Sequence, residues 1–521
     1  MVTEAEVRRT RPAESRRTPL RELAALLGLP ESDDATEVTG VTLSTDRVLP
    51  GDLYAALPGA RVHGASFAGA AVASGAVAVL TDAAGAEIVA DAGVPTLVVE
   101  SPRTVLGAVS AHVYGHPTRS LRMIGVTGTQ GKTTVTRLVD LALTGADVPS
   151  AVIGTIGTRI LGDEVPTRLT TPEAPDLQAL FARMVEAGVE TCAMEVSSHA
   201  LAMGRVDGIV FDVAVFTNLG RDHLDFHADL EEYFQVKASL FTARRCKRAV
   251  VSRDDEHGRR LVAHAQVPTE TFSVHDSGAD WSAHAVVATA RGSAFDVVHG
   301  DDAVATGVPI AGEFNVANGL AALAAGSLSG HDLPRLAAAL VSGAGVPGRL
   351  ERVETGLGFE TVVDYAHKPD AVEAALSTLR PLTDGRLICV IGAGGDRDTG
   401  KRPVMGEIAA RLSDLVIVTD DNPRSEDPAA IRAAVLAGCA GPAEVLEIGD
   451  RRSAIRAALG RARPGDVVLV AGKGHETGQE VAGVVHPFDD CTVVAEEAGA
   501  LVEEAGALVE EAGALVEEAR R

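Results

Sequence analysis

Seven consecutive residues, Gly128-Thr129-Gln130-Gly131-Lys132-Thr133-Thr134, constrain this chain more than any other stretch. They follow the apolar run Met123-Ile124-Gly125-Val126 and lead into Val135-Thr136-Arg137-Leu138-Val139, which reads as a helix. A strand that turns through glycines into a helix gathers several backbone N–H groups and the positive end of the helix dipole at one point, an arrangement suited to a polyphosphate. In that geometry Lys132 reaches the terminal phosphates and the Thr133 hydroxyl meets Mg²⁺. The strict phosphate-loop spacing asks for glycine at 126, where Val126 stands, so the pattern is a shortened G-x-x-G-K-T with an additional Gly125. The alternative is a plain glycine turn between strand and helix.

A chain of 521 residues, 46% hydrophobic, exceeds one ordinary domain, and three fit best. Strands alternate with helices almost throughout, which predicts an α/β protein with mostly parallel sheets. The expected units are a small α/β domain over 18–117, a central nucleotide-binding domain over 118–346 and a Rossmann-like α/β domain over 347–490, with a low-complexity tail at 491–521. Residues 1–17 are polar and arginine-rich without an apolar period, and disorder is expected there. A net charge of −25 argues against a nucleic-acid partner. Five scattered cysteines without a C-x-x-C pair read as core thiols of a reducing compartment. No apolar leader or membrane-length run is present, so a cytoplasmic, non-membrane-embedded monomer is expected.

Buried parallel strands read as short, uninterrupted apolar runs, and ligands collect at their carboxyl ends. Two clusters sit at such ends in the central region: Glu195-Val196-Ser197-Ser198-His199, which closes the 191–196 run, and Asn218 to Asp225 after 211–217. Lys237, one of only six lysines, lies on a helix among Tyr233, Phe234, Leu240 and Phe241. It either snorkels to solvent or serves as a modified, metal-binding lysine. Gly312-Glu313-Phe314-Asn315-Val316-Ala317-Asn318 places two carboxamides one turn apart, to read an adenine edge or merely to cap the helix.

Beyond the hinge-like Val346-Pro347-Gly348, strands are expected at 360–364, 387–391, 415–419, 444–448 and 466–470. Polar loops follow several of them: Asp364 to Pro369, Gly392 to Asp398, Asp420 to Arg424 and Gly472 to Glu476. Such loops at one edge of a sheet form a site. The tail repeats Ala-Leu-Val-Glu-Glu-Ala-Gly, whose glycines each cost a helix roughly 1 kcal/mol against alanine. It reads as a weak helix, an assembly contact or repeat expansion without function.

In their order and approximate spacing, the segments 128–134, 195–199, 218–225, Lys237, 312–318, Gly348-Arg349-Leu350-Glu351 and 364–369 resemble those of the Mur ligase family over about residues 38–490. These are ATP-dependent amide-bond ligases that build the peptidoglycan stem peptide. Asp421-Asn422-Pro423-Arg424 resembles the signature of the branch that adds meso-diaminopimelate to the D-Glu γ-carboxylate of UDP-N-acetylmuramoyl-L-Ala-D-Glu. A guanidinium suits the second carboxylate that separates diaminopimelate from lysine.

The resemblance implies catalytic roles for Lys132, Glu195, His223 and Lys237, with Thr133, Glu195, His223 and an N-carbamylated Lys237 around Mg²⁺. ATP would be held by 128–134 (Gly128, Thr129, Gln130, Gly131, Lys132, Thr133, Thr134) with Asn315, Asn318, Arg349, Asp364 and His367. The muramoyl-dipeptide would meet Thr45, His63, Thr170, Thr171, Ser197 and Arg205, and diaminopimelate Arg397, Asp421, Asn422, Arg424, Gly472 and Glu476. Two departures from the family pattern stand out. Gln130 replaces the usual Asn, and Ser44-Thr45-Asp46 replaces Asp-Ser-Arg. The competing readings are a lysine-adding or folylpolyglutamate-like ligase and, from another class, an inactive nucleotide-binding scaffold.

Overall fold

The computed structural model describes residues 3–30, 35–223, 226–289 and 291–519, with side chains as far as Gly506. The chain divides into two compact units, one formed by 1–284, 296–306 and 317–343, the other by 285–295, 307–316 and 344–521. Two segments read from sequence as central, 285–295 and 307–316, thus cluster with the second unit.

Within the first unit, the apolar runs form parallel strands whose side chains are buried on both faces. Arg122–Thr127 lies between Thr191–Glu195 and Phe211–Phe216, with Ser150–Gly154 beyond the former and Cys246–Ser252 and Thr269–Ser273 beyond the latter. The first strand in sequence is therefore central, and the direction of winding reverses beside it. At such a switch point the loops leaving adjacent strands diverge and open a crevice. The ends that meet there are Thr127, Glu195 and Phe216. Gly125 has a structural reason: a Cβ there would sit 2.7 Å from the Phe211 ring. The smaller sheet of this unit pairs Gly40–Thr42, Asp52–Ala55, Ala78–Thr81 and Thr96–Val98, all parallel.

Residues 3–17, expected to be disordered, are ordered. Thr3 and Glu6 form a reciprocal capping box on helix Glu4–Arg8, and Val7 is buried. Arg11 then drives its guanidinium onto Asp52 at 2.6 Å, both side chains being buried, and donates to the Arg47 carbonyl. Downstream, the amides of Ala13 and Glu14 donate to the Glu186 carboxylate. The segment is polar, yet its polar groups have partners far along the chain, and that satisfies the requirement that buried polar groups be paired.

In the second unit Glu360–Asp364, Val467–Ala471, Leu387–Ile391, Leu415–Val418 and Glu444–Glu447 lie side by side, all parallel. The tail does not begin as a separate element. Helix Asp490–Ala519 buries Val493, Val494 and Ala498 in the core of this unit, and Leu501 packs against it. Asp490 meets Arg451 with both side chains fully buried. Arg452 and Arg456 reach Glu496, Glu497 and Glu504 on the same helix. Among the described residues no helix is long and apolar enough to cross a membrane.

Arg11→Met should lower stability by about 3–5 kcal/mol, because it leaves Asp52 buried without its counter-charge, and a denaturant midpoint will read this. Ending the chain after Gly506 should leave the melting temperature unchanged. Ending it after Asp489 should abolish cooperative unfolding of the second unit, since Val494, Ala498 and the Asp490 carboxylate go with it.

Candidate active site

Strand Arg122–Thr127 passes through Gly128 (φ +148°) and Gly131 (φ +85°) into helix Lys132–Gly145. Neither glycine tolerates a side chain. A Cβ on Gly128 would lie 1.9 Å from Thr217 Oγ1, and one on Gly131 would lie 2.5 Å from Asn318 Oδ1. The loop is braced from the neighbouring strand end: Thr217 Oγ1 donates to the Gln130 carbonyl at 2.6 Å, and the Gln130 amide donates to Asn218 Oδ1 at 2.9 Å. Thr129 joins Gly220 through its hydroxyl, which accepts from the Gly220 amide. Lys132 folds back onto the carbonyls of Gly128 and Thr129, both at 2.9 Å.

Lys237 donates to the same Gly128 carbonyl at 2.8 Å from its helix, Leu230–Ala238, and lies 4.5 Å over the Tyr233 ring. It is buried, which excludes the snorkelling alternative. Burial first and Lys132 second push its pKa well below the ordinary lysine value, toward the neutral amine. His223, in left-handed backbone (φ +52°), lies near Asp222 and packs edge-on against His199 at 4.9 Å. Leu224 and Asp225 lie outside the described residues.

At the end of Thr191–Glu195 a hydroxyl network gathers several residues singled out in the sequence. Glu195 is buried and accepts from the Thr155 amide at 2.7 Å and its hydroxyl at 3.2 Å. Thr155 Oγ1 is 3.1 Å from that of Thr170, and Thr171 Oγ1 donates to the Glu195 carbonyl and accepts from the Ser197 amide. Arg205 donates to the Thr171 carbonyl and pairs with Glu173 at 2.8 Å. Thr155 and Glu173 carry no motif of their own and were not singled out. In the smaller sheet's domain, His63 pairs with Asp82 at 3.1 Å, and Thr45 opens the short helix Thr45–Arg47. Arg47 there bridges to Asp176 at 3.1 Å.

For Mg²⁺, this first unit offers the Thr133 hydroxyl and the Glu195 carboxylate, hard oxygen donors of the kind the ion takes. Among the described residues no three His, Cys, Asp or Glu side chains form a ready-made cage, so most ligands would come from phosphate and water. Lys237 does not fit as an amine, and fits only as a carbamate.

In the second unit the loops at the strand ends are laced together. Arg424 (φ +54°) donates from its guanidinium to the Gly395 carbonyl at 2.6 Å, and its amide donates to the Glu480 carbonyl at 2.9 Å. Asn422 Nδ2 donates to Glu476 Oε2 at 2.8 Å. Asp421 is buried, and its Oδ1 accepts no hydrogen bond. Gly472 (φ +121°) is required beside it, since a Cβ there would lie 2.9 Å from Asp421 Oδ2. Arg397 stands exposed on the 392–398 loop.

Nearby, Arg349 lies 4.9 Å over the Tyr365 ring, and Asp364 accepts from the Leu350 amide. His367 Nδ1 faces the Tyr365 carbonyl at 2.7 Å, and burial pushes its pKa down to about 4. Asn315 is buried within the first turn of helix Glu313–Leu328 and donates to the Ala311 carbonyl, so it is not the cap.

Residues 126–326 match the Mur ligase middle domain, 348–474 the Mur ligase glutamate ligase domain, and 37–114 the domain described as Mur ligase family, catalytic domain. The chain belongs to the Mur ligase family. Among its Mur ligase relatives, the UDP-N-acetylmuramoyl-L-alanyl-D-glutamate–2,6-diaminopimelate ligase of Streptomyces coelicolor is 53% identical over 493 residues, 93% of this chain and 97% of that one. The enzyme of the same description from Streptomyces avermitilis is 52% identical over 495 residues, 93% of this chain and 97% of that one. A solved structure of a ligase with that description superposes with a TM-score of 0.68 at 34% identity, covering 94% of this chain and 99% of the other. The Mur ligase expectations for fold and family therefore hold.

Gly128→Ala and Gly131→Ala should each abolish nucleotide binding while leaving the fold intact, because the added methyl meets Thr217 or Asn318. Calorimetric titration with a non-hydrolysable ATP analogue, alongside circular dichroism, checks this.

Proposed function

We infer that this chain is an ATP-dependent ligase joining meso-diaminopimelate to the D-Glu γ-carboxylate of UDP-N-acetylmuramoyl-L-Ala-D-Glu, a step of peptidoglycan precursor synthesis. The observation that carries this reading is the 53% identity to a ligase of that description along almost the whole of both chains. The loop Asp421-Asn422-Pro423-Arg424 supports the choice of amine, because the buried, unbonded Asp421 Oδ1 suits an ammonium and Arg424 a carboxylate. The acting compartment is the cytoplasm, where ATP and a nucleotide-linked acceptor are soluble.

A carboxylate is a poor electrophile, so it is first phosphorylated by ATP. The amine then attacks the acyl carbon, the tetrahedral adduct collapses with loss of phosphate, and the amine's proton leaves to solvent or base. The 128–134 loop would cradle the β- and γ-phosphates through its amides, with Lys132 turning from the carbonyls it holds to the developing charge. Mg²⁺, held by Thr133 and Glu195 with a second ion near His223 and Lys237, would supply further neutralisation of phosphate charge. Thr170, Thr171, Ser197 and Arg205 form the network next to Glu195 and would position the acceptor peptide.

Lys237 supports a carbamate in this scheme. A neutral amine attacks CO₂, an ammonium does not, and the burial of Lys237 beside Lys132 favours the neutral form. The product, a carbamate, is an oxygen ligand. Enzyme held in CO₂-free buffer should lose activity and regain it when bicarbonate is added, whereas Lys237→Arg should stay inactive with or without bicarbonate.

An amine panel decides the substrate. Wild type should release ADP with meso-diaminopimelate and the UDP-linked dipeptide together, and use L-lysine about 10⁴-fold less well, as expected where a buried polar group is left unpaired. Arg424→Lys should raise KM for diaminopimelate by on the order of 10–100-fold, through loss of the planar fork.

A further inference from the structure

The side chain of Lys473 is fully buried, yet it belongs to none of the roles assigned so far. It follows strand Val467–Ala471 by one glycine, Gly472. Its Nζ donates to Asn422 Oδ1 at 3.1 Å and to Glu476 Oε2 at 3.4 Å, and lies 3.7 Å from Asp421 Oδ1. These three side chains are among those assigned to the amino-acid site. A desolvated ammonium is costly unless paired, and here one ammonium stands among two carboxylates and an amide oxygen.

The contacts also define what the lysine orients. Asn422 Oδ1 accepts from Lys473 and from the Glu480 amide at 2.9 Å, so its Nδ2 is turned to Glu476. Asn422 and Glu476 are thereby held in one arrangement. Asp421 is left differently: its Oδ1 is ion-paired at 3.7 Å but receives no hydrogen bond. Against the two carboxylates Lys473 supplies one positive charge, so these three side chains together keep one net negative charge.

We propose that Lys473 is a positioning residue of the amino-acid site: it locks Asn422 and Glu476 in place and leaves the trio of Lys473, Asp421 and Glu476 with one net negative charge, which an incoming ammonium of a diamino acid balances. Lysine at this position acts through its neighbours and not on the reacting atoms. The inference rests on the reading of this loop cluster as the diaminopimelate site.

The test separates the substrates kinetically. Lys473→Met should raise KM for meso-diaminopimelate by on the order of 100-fold, the scale of breaking a buried charge cluster. KM for ATP and for the UDP-linked dipeptide should stay within about twofold, as for a site where only one ligand's contacts are disturbed. Acyl-phosphate formation without amine, trapped by borohydride reduction, should persist. The preference for diaminopimelate over L-lysine should shrink. If Lys473→Met does not fold, Lys473→Gln, which keeps a donor for Asn422 without the charge, carries the same expectation.

An unchanged KM for diaminopimelate in a folded variant overturns the proposal, as does a uniform loss across all three substrates, which marks a merely structural lysine. Failure of both variants to fold does the same. Should wild type not use diaminopimelate at all, the functional reading fails, and this is distinguishable because it needs no variant.

Discussion

One backbone oxygen organises the first unit. The Gly128 carbonyl accepts from Lys132 and from Lys237, so two side chains that would repel each other as ammonium ions meet at one point. Burial first, and then Lys132, push the Lys237 pKa below the ordinary lysine value, which eases that repulsion. The carbonyl is accessible to both because residue 128 has no side chain and adopts a backbone that other residues rarely adopt. Thr217 fills the space a Cβ would need, and its hydroxyl ties the loop to the adjacent strand end. The glycine loop therefore depends on residues some ninety positions apart, brought together by neighbouring parallel strands.

The second unit meets a different electrostatic problem with similar means. Its strand-end loops carry the buried Asp421 and Lys473 beside the half-buried Glu476 and Arg424, and a buried charge is costly unless paired. Fixed backbone contacts absorb part of the demand: Arg424 satisfies the Gly395 carbonyl, and its own amide donates to Glu480. Beneath them Arg451 and Asp490, both fully buried, tie the start of the last helix to the sheet, with Arg451 also donating to the Ala471 carbonyl. The loops that would recognise an amino acid are thus anchored to the core. Rigid placement matters there, since selectivity between two amines comes from polar groups left unpaired by the wrong one.

Much of this was legible in the chain because buried parallel strands are nearly continuous apolar runs. The strand expected at 360–364 is Glu360–Asp364, that expected at 387–391 is Leu387–Ile391, and others differ by a residue or two at an end. Residues 252–310 were poorly legible. They hold helix Glu256–His264 and the strands Thr269–Ser273, Trp281–Thr289, Gly292–His299 and Asp302–Val308, several with one exposed face and a correspondingly mixed composition. The ordering of residues 3–17 was missed for another reason. Composition weighs hydrophobicity against charge, whereas this segment is held by an ion pair and by amides whose partners lie 41 and 173 positions away. The capping box at Thr3 and Glu6 was a local sign of it.

What the amino-acid order determined alone was the alternation of elements, the glycine loop and the kinds of side chain available at each strand end, because these follow from local pattern and backbone freedom. Whether Lys237 faced solvent or the interior depended on the packing of its helix, since a lysine among apolar neighbours is compatible with both. Likewise, only the fold put Lys473 between Asn422 and Glu476, and Thr155 onto Glu195. Those contacts cross from one loop to another, and such distances are set by sheet register, a property of no single stretch of the chain.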